Sequence, residues 1–351
     1  MKFNGRFILV LLLVLVAATG LILVKGNNQP DARPVSQMQS YHLDPPGLAD
    51  MEIGDVQPGV PVLCYHYFRS SFNVGYLVKV LGSVFFGMPA LGPREFWTTP
   101  VGQFENHLKY FQETNTRIMT LGEVADLYQR GDPIPERAVV ITIDDADISV
   151  YEQAWPLLKK YGAKAHLFVP TAMVGTHWSS LNVCTWEQLK EMSDSGNVLV
   201  GSHTRSLHFK IPTDAKPEPA FLHPGSVPLE IARGNQRLLS HFDAKQWKLE
   251  NPAQVSRALK GVQGPVVEDL LASRLEIMKN VGKAPTWLAW PYGFADSSLD
   301  SICGLLGFQG TVSLRPSTFG PQDETGSIGR FTLTAKSTLD RIQLVFPDNS
   351  N

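Results

Sequence analysis

Cysteine is scarce in this chain: Cys64, Cys184 and Cys303 are the whole supply. Three scattered cysteines are too few for a disulfide framework or a tetrathiolate metal site, and one has no partner within the chain. Charge of one sign is lacking too, with 31 Lys+Arg against 33 Asp+Glu. Without clustered positive charge, which supplies most of the affinity for nucleic acid, that class of partner is set aside. No histidine follows His241 in the remaining 110 residues. What is present is ordinary for a globular protein: 43% apolar residues, 29 Gly and 25 Pro in 351 residues. Length alone leaves the domain count open, because α/β barrels often exceed ~250 residues as one unit.

The one long uncharged run is Phe7 to Val24, preceded by Lys2 and Arg6 and followed by Lys25. It reads as an export signal with positive charge on the retained side. Its length is near the lower limit for crossing a bilayer, and Val16-Ala17-Ala18 offers small residues to a signal peptidase. A membrane anchor and a cleaved leader both stay open, and either puts the remainder outside the cytoplasm: on the cell membrane facing outward, or periplasmic or secreted. The expected organisation is a signal anchor or signal peptide over 1–26, a proline-bearing extracytoplasmic tether over 27–58, and one folded domain over 59–347. Two stretches break its rhythm and read as insertions, at about 67–98 and 211–264. The first contains Phe72 to Gly92, apolar but interrupted by Gly75, Lys79, Gly82, Gly87 and Pro89. It reads as a loop packed on the domain or against a partner, or as a patch touching the membrane. The second begins with five prolines between Pro212 and Pro228, and reads as a lid or substrate wall.

From Val60 onward short apolar runs alternate with helical patterns. VPVLC (60–64), AVVITI (138–143), AHLFV (165–169), NVLVG (197–201), TWLAW (286–290) and QGTVSL (309–314) read as parallel strands buried on both faces. Thr120 with Glu123, Ser149 with Glu152, and Thr185 with Gln188 have the spacing of a capping box. Gly131, Gly162 and Gly196 stand where helices end. Pro156 marks either a kink or an early helical turn. Repeated strand and helix at this pace predicts an α/β fold, a barrel rather than an open sheet.

The strand ends carry the chemistry. AVVITI runs into Asp144-Asp145, NVLVG into Ser202-His203 with His208 beyond, and VPVLC into Tyr65-His66. The carboxyl ends of barrel strands are the face where loops converge into active sites. His203 and His208 would diverge on a helix, so they converge only if their segment is a loop. One carboxylate and two imidazoles make a three-ligand site with positions left for water and substrate, the pattern of a catalytic metal. A second carboxylate alongside can take a proton from that water, which outlines a metal-assisted hydrolase.

These motifs resemble the polysaccharide deacetylases with a NodB-homology domain, carbohydrate esterase family 4, over roughly residues 60 to 345. TIDDA (142–146) matches the family's Thr-Phe-Asp-Asp-Gly, SHTRSLH (202–208) its histidine motif, and WPYG (290–293) its Pro-Tyr motif. FENHLKYF, YEQAWPLLKKYGAKAHLFV and TWEQLKEMSDSG fit as well. The spacing within the histidine motif is most similar to exported enzymes that de-N-acetylate poly-N-acetylglucosamine. The resemblance implies a distorted (β/α) barrel acting as a single catalytic domain on an N-acetylglucosamine-containing polysaccharide. It implies Asp144 as general base, Asp145, His203 and His208 as ligands of zinc or another divalent metal, and the Tyr292 backbone amide as oxyanion donor. It also implies an export or biofilm machinery as a partner beyond the membrane and the glycan.

The sequence departs from the family in three places. Ala146 replaces the motif glycine, Ala289 stands where an arginine often orients the base, and the late histidine that serves many members as general acid is absent. His66 is the substitute acid, a structural histidine hydrogen-bonded at a strand end being the competing reading. Arg330 either stands near the site or pairs structurally. His107, His166, His177, His223 and His241 read as packing or surface residues. These departures keep two alternatives open: an inactive glycan-binding relative, and an esterase acting on O-acetylated sugars.

Overall fold

The structure, a computed structural model, describes residues 58–70, 97–243, 245–294, 297–321, 323 and 326–346. The expectations for the N-terminal run, its tether and the stretch Phe72 to Gly92 fall outside these residues. Among the described residues no helix is long and apolar enough to cross a membrane.

In chain order the strands are β1 (Val62–Tyr65), β2 (Tyr67–Arg69), β3 (Thr98–Pro100), β4 (Arg117–Met119), β5 (Ala138–Ile143), β6 (Ala165–Val169) and β7 (His177–Trp178). They continue as β8 (Leu181–Asn182), β9 (Val198–Ser202), β10 (Lys210–Ile211), β11 (Glu218–Pro219), β12 (Trp287–Ala289), β13 (Gly310–Val312) and β14 (Phe331–Thr332). The α-helices are α1 (Val101–Glu113), α2 (Leu121–Arg130), α3 (Trp155–Lys160), α4 (Trp186–Asp194), α5 (Leu229–Leu239), α6 (Pro252–Ala258), α7 (Gly264–Val281), α8 (Ser297–Leu305) and α9 (Leu339–Gln343). Eight strands form one sheet in the order β13-β12-β9-β6-β5-β1-β14, with β4 on the first half of β5, and every pairing is parallel. The two ends of this order are linked through residues 328–330: Ser313 N donates to Ile328 O at 2.8 Å and Arg330 N to Arg315 O at 2.9 Å. The fold is the distorted α/β barrel that the strand pattern predicts.

All six residues of β5 are buried. Val139, Ile141 and Ile143 join one apolar cluster with Leu63 and Leu167, while Ala138 and Val140 join another with Val62, Phe168 and Trp287. Apolar side chains on both faces are the reason a parallel strand reads as a continuous hydrophobic run.

The helix signals hold at two of three positions. Thr120 and Thr185 each make a complete capping box, with Glu123 and Gln188. Ser149 does not: its backbone is already helical and it opens a π-helical turn, Val150–Ala154, with no side-chain cap. Its hydroxyl instead accepts the Phe68 backbone N–H at 3.0 Å, a contact across the fold that outweighs the local cap. Pro156 sits in the first turn of α3, where its missing N–H costs nothing.

The first expected insertion begins and ends in paired strands, β2 against β3. The second is no detached lid. It contains the β10–β11 hairpin, α5 and α6, and Phe221 and Val255 share an apolar cluster with Val267 and Leu271 of α7 and with Trp290.

Candidate active site

The ladder continues one residue beyond β5 and β9. Asp144 N donates to Tyr65 O and His203 N to Val169 O, each at 2.9 Å. Those bonds fix the backbones of both motif residues at one end of the sheet. The chain then turns sharply: Asp145, Ala146, Thr204 and Tyr292 all have left-handed backbones, with φ of 68°, 53°, 66° and 60°. Such backbone costs on the order of 1 kcal/mol or more per residue and gathers at functional sites. Ala146 thus adopts a left-handed conformation that glycine would reach without strain.

Asp145, His203 and His208 converge, their ligand atoms lying within 4.8 Å of one another. Asp145 Oδ1 is 3.6 Å from His203 Nε2 and 3.5 Å from His208 Nε2. Ligands ~2.0–2.1 Å from a tetrahedral zinc stand roughly 3.3–3.4 Å apart, so the spacing fits. Asp145 Oδ1 is buried without a hydrogen-bond partner among the described residues, as an oxygen reserved for a cation would be. His203 Nδ1 lies 2.7 Å from Ala289 O. A carbonyl only accepts, so Nδ1 carries the proton and Nε2 keeps its lone pair for a metal. Burial pushes both imidazoles down to about 4, which keeps them neutral and able to ligate. The three residues fit a divalent ion with an O,N,N donor set.

Asp144 lies beside this triad and faces Arg330. The guanidinium donates to both carboxylate oxygens, Nη1 to Oδ1 at 2.7 Å and Nη2 to Oδ2 at 2.8 Å. Its remaining contacts are Ser313 O at 2.9 Å and Thr142 Oγ1 at 3.1 Å. Burial alone would raise the Asp144 pKa, but the Arg330 charge and hydrogen bonds together with the nearby His203 and His66 rings outweigh it, and the carboxyl is held well below the usual carboxylate range. A guanidinium thus stands against Asp144 although position 289 is alanine, and it comes from the other end of the sheet. Cys64 Sγ also approaches Asp144 Oδ2, at 3.6 Å.

His66 follows β1 directly, is 8% exposed, and lies with Cys64 close to Asp144. Its ring packs on Trp97 with centroids 4.8 Å apart. Its Nδ1 has no hydrogen-bond partner among the described residues. Tyr292 packs its ring on His208 at 4.7 Å, and Trp178 meets the same imidazole edge-on at 4.8 Å. Gly293 follows with φ of 70°, where a Cβ would stand 2.6 Å from Leu314 N. Only glycine lets the Pro-Tyr turn sit this close to the chain beyond β13.

The other histidines lie elsewhere, as expected. His107 bridges Tyr65 Oη and Ser337 O, and His166 accepts the Leu121 N–H. His177, His223 and His241 pair with Asn182, Glu218 and Arg237 O. Sequence reasoning does not single out Tyr67, whose hydroxyl donates to Asp145 Oδ2 at 2.5 Å, or Trp178. It also misses Asp269, which is buried and accepts from Arg205 N, Ser206 N and Asn235 Nδ2, bracing the loop between the two histidines. Only the position of Tyr67 just past a strand end gives any signal.

The family model described as "Polysaccharide deacetylase" matches residues 131–311. That window is half of the chain and holds Asp144, Asp145, His203, His208 and Tyr292. The chain belongs to the polysaccharide deacetylase family. Among its relatives, the poly-beta-1,6-N-acetyl-D-glucosamine N-deacetylase of Staphylococcus aureus (strain MSSA476) is 24% identical over 233 residues, 66% of this chain and 66% of that protein. The match thus spans just under two thirds of that relative's length. The counterpart from strain MRSA252 is 22% identical over 307 residues, 86% of this chain and 88% of that one. Among solved structures, IcaB from Ammonifex degensii superposes with a TM-score of 0.59 at 26% identity, over 84% of this chain and all of that one. His66, Tyr67 and Arg330 lie outside the family-model window, on the flanks that the tertiary structure folds back onto the site.

Proposed function

We propose that this member of the polysaccharide deacetylase family is a metal-dependent hydrolase that removes N-acetyl groups from a polysaccharide containing N-acetylglucosamine. One observation carries the reading: an arginine-clamped carboxylate, Asp144, stands beside an unpartnered Asp145 oxygen that faces two neutral imidazoles. The names of the staphylococcal relatives and the likeness to IcaB support the choice of glycan.

Asp145, His203 and His208 would hold the cation, zinc by the donor set. When bound it would supply a Lewis acid for the acetyl carbonyl and lower the pKa of water. Asp144, kept ionised by Arg330, accepts the proton of the attacking water. A carboxylate held so low is a weak base, so the proton moves on rather than remaining there. The backbone N–H of Tyr292 stabilises the developing oxyanion. His66 protonates the amine as the carbon–nitrogen bond breaks, without which the amine is a poor leaving group. Acetate and a glucosamine unit that bears a free amine and stays within the polysaccharide are the products. Trp97, Trp178 and Tyr292 give the site aromatic walls suited to the apolar faces of sugar rings.

The uncharged run after Lys2 and Arg6 supports an extracytoplasmic location, as a membrane-anchored or exported enzyme, where an export or biofilm machinery would deliver the glycan. A C-terminal reporter active only in the cytoplasm would contradict it. The activity is tested by acetate release from an N-acetylglucosamine oligomer with added Zn2+ or Co2+. No release, with the oligomer still bound, would favour the inactive glycan-binding alternative; release only from O-acetylated sugars would make the enzyme an esterase.

A further inference from the structure

We propose that Tyr67 is a positioning residue for the metal centre: its hydroxyl holds one oxygen of Asp145 so that the other stays turned toward His203 and His208. The inference rests on the metal-dependent reading above. Asp145 divides its two oxygens. Oδ2 accepts from Tyr67 Oη at 2.5 Å, a length typical of a hydroxyl donating to an ionised carboxylate. Oδ1 has no hydrogen-bond partner among the described residues and lies 3.6 and 3.5 Å from the two imidazole Nε2 atoms. A free carboxylate rotates about its terminal bond with little resistance. The phenol removes that freedom and leaves a single oxygen presented to the cation.

The tyrosine is itself fixed at three points. Its ring is 8% exposed within the main apolar cluster. Tyr67 pairs with Thr98 in the β2–β3 ladder, and the Phe68 N–H is bound by Ser149 Oγ at 3.0 Å. The end of β1 and the residues after it thus bring the Cys64 thiol and the His66 ring to Asp144 and the Tyr67 hydroxyl to Asp145. Hydrogen bonds to a ligating carboxylate of this kind change metal affinity by ~10–100-fold in other sites.

The test is titration of metal-free full-length protein with Co2+, followed by its visible absorption. Tyr67→Phe keeps the ring and removes the donor. Affinity about 10–100-fold weaker than wild type, with a shifted absorption band, is the expected result. Tyr65→Phe is the control, since it deletes a buried hydroxyl that bonds His107 instead of the site, and its Co2+ affinity should equal wild type. Equal affinity and an unmoved band in Tyr67→Phe would overturn the role of Tyr67. A wild-type protein that binds no Co2+ would overturn the metal reading itself. If Tyr67→Phe does not fold, 3-fluorotyrosine at position 67 keeps shape and donor while drawing more charge from Oδ2. A shifted Co2+ band on that replacement upholds the role, and an unmoved one removes it.

Discussion

Arg330 and Asp144, 186 positions apart in sequence, form a two-pronged ion pair in which the arginine is fully buried. A lysine cannot reproduce the fork, because its ammonium is a point charge without fixed donor directions. Arg330→Lys is therefore expected to lower turnover ~10²-fold while metal content stays near wild type. Arg330→Met, which leaves the Asp144 charge buried and unpaired, should cost about 3–5 kcal/mol of stability in urea unfolding. Wild-type turnover in Arg330→Lys would contradict the orienting role.

Asp144→Asn should abolish deacetylation with metal retained, since an amide accepts no proton from water. The Arg330 contact adds a second consequence: this variant strands a buried guanidinium and should unfold at lower urea than wild type. Loss of metal in Asp144→Asn, with retention in Asp145→Asn, would mean that the two aspartates have exchanged roles.

His203→Ala combined with His208→Ala removes two of three metal ligands. Metal analysis should fall from about one equivalent per chain to near zero, because a lone carboxylate holds a divalent ion weakly. Full retention would exclude the triad as the binding site.

His66→Gln keeps hydrogen-bonding capacity and approximate size but cannot supply an imidazole proton. Turnover should drop by ~10²-fold or more with Co2+ affinity nearly unchanged. A variant as active as wild type would return the acid role to a metal-bound water.

Asp269 offers a pH test separate from catalysis. Burial raises its pKa to about 6, against the opposing pull of the Arg205 and Ser206 N–H groups and Asn235. The folded value lies above the unfolded one, so the folded chain binds the proton more tightly. The stabilisation from protonated Asp269 is full below the ordinary carboxylate range and is lost as pH rises through about 6. Between pH 4 and 7 wild type should lose on the order of 3 kcal/mol relative to Asp269→Asn. Parallel stability curves for the two proteins would contradict this.

Much of this site is legible in the sequence because local rules act within one turn or one strand. AVVITI is a strand from end to end, and the Thr120 and Thr185 capping boxes form as their spacing requires. Asp144 directly follows one apolar run and His203 and His66 stand one residue beyond two others, and in a parallel sheet such positions share one end. The same rules fail at Ser149, where a distant backbone N–H takes the hydroxyl that the spacing assigns to a cap. Local preference is worth about 1 kcal/mol at such a position, and a buried amide left unpaired costs as much or more.

The sequence by itself determined the strand-and-helix alternation, the carboxylate and imidazole pairs, and the family. Tertiary structure decided which partner completes each pair. Arg330 reaches Asp144 because β14 lies beside β1, with Leu63 opposite Phe331, and β1 beside β5. Tyr67 reaches Asp145 because β1 runs on into β2. Neither contact has a sequence spacing of its own, since hydrogen bonds and ion pairs across a sheet depend on strand order and register, which long-range burial of apolar faces sets.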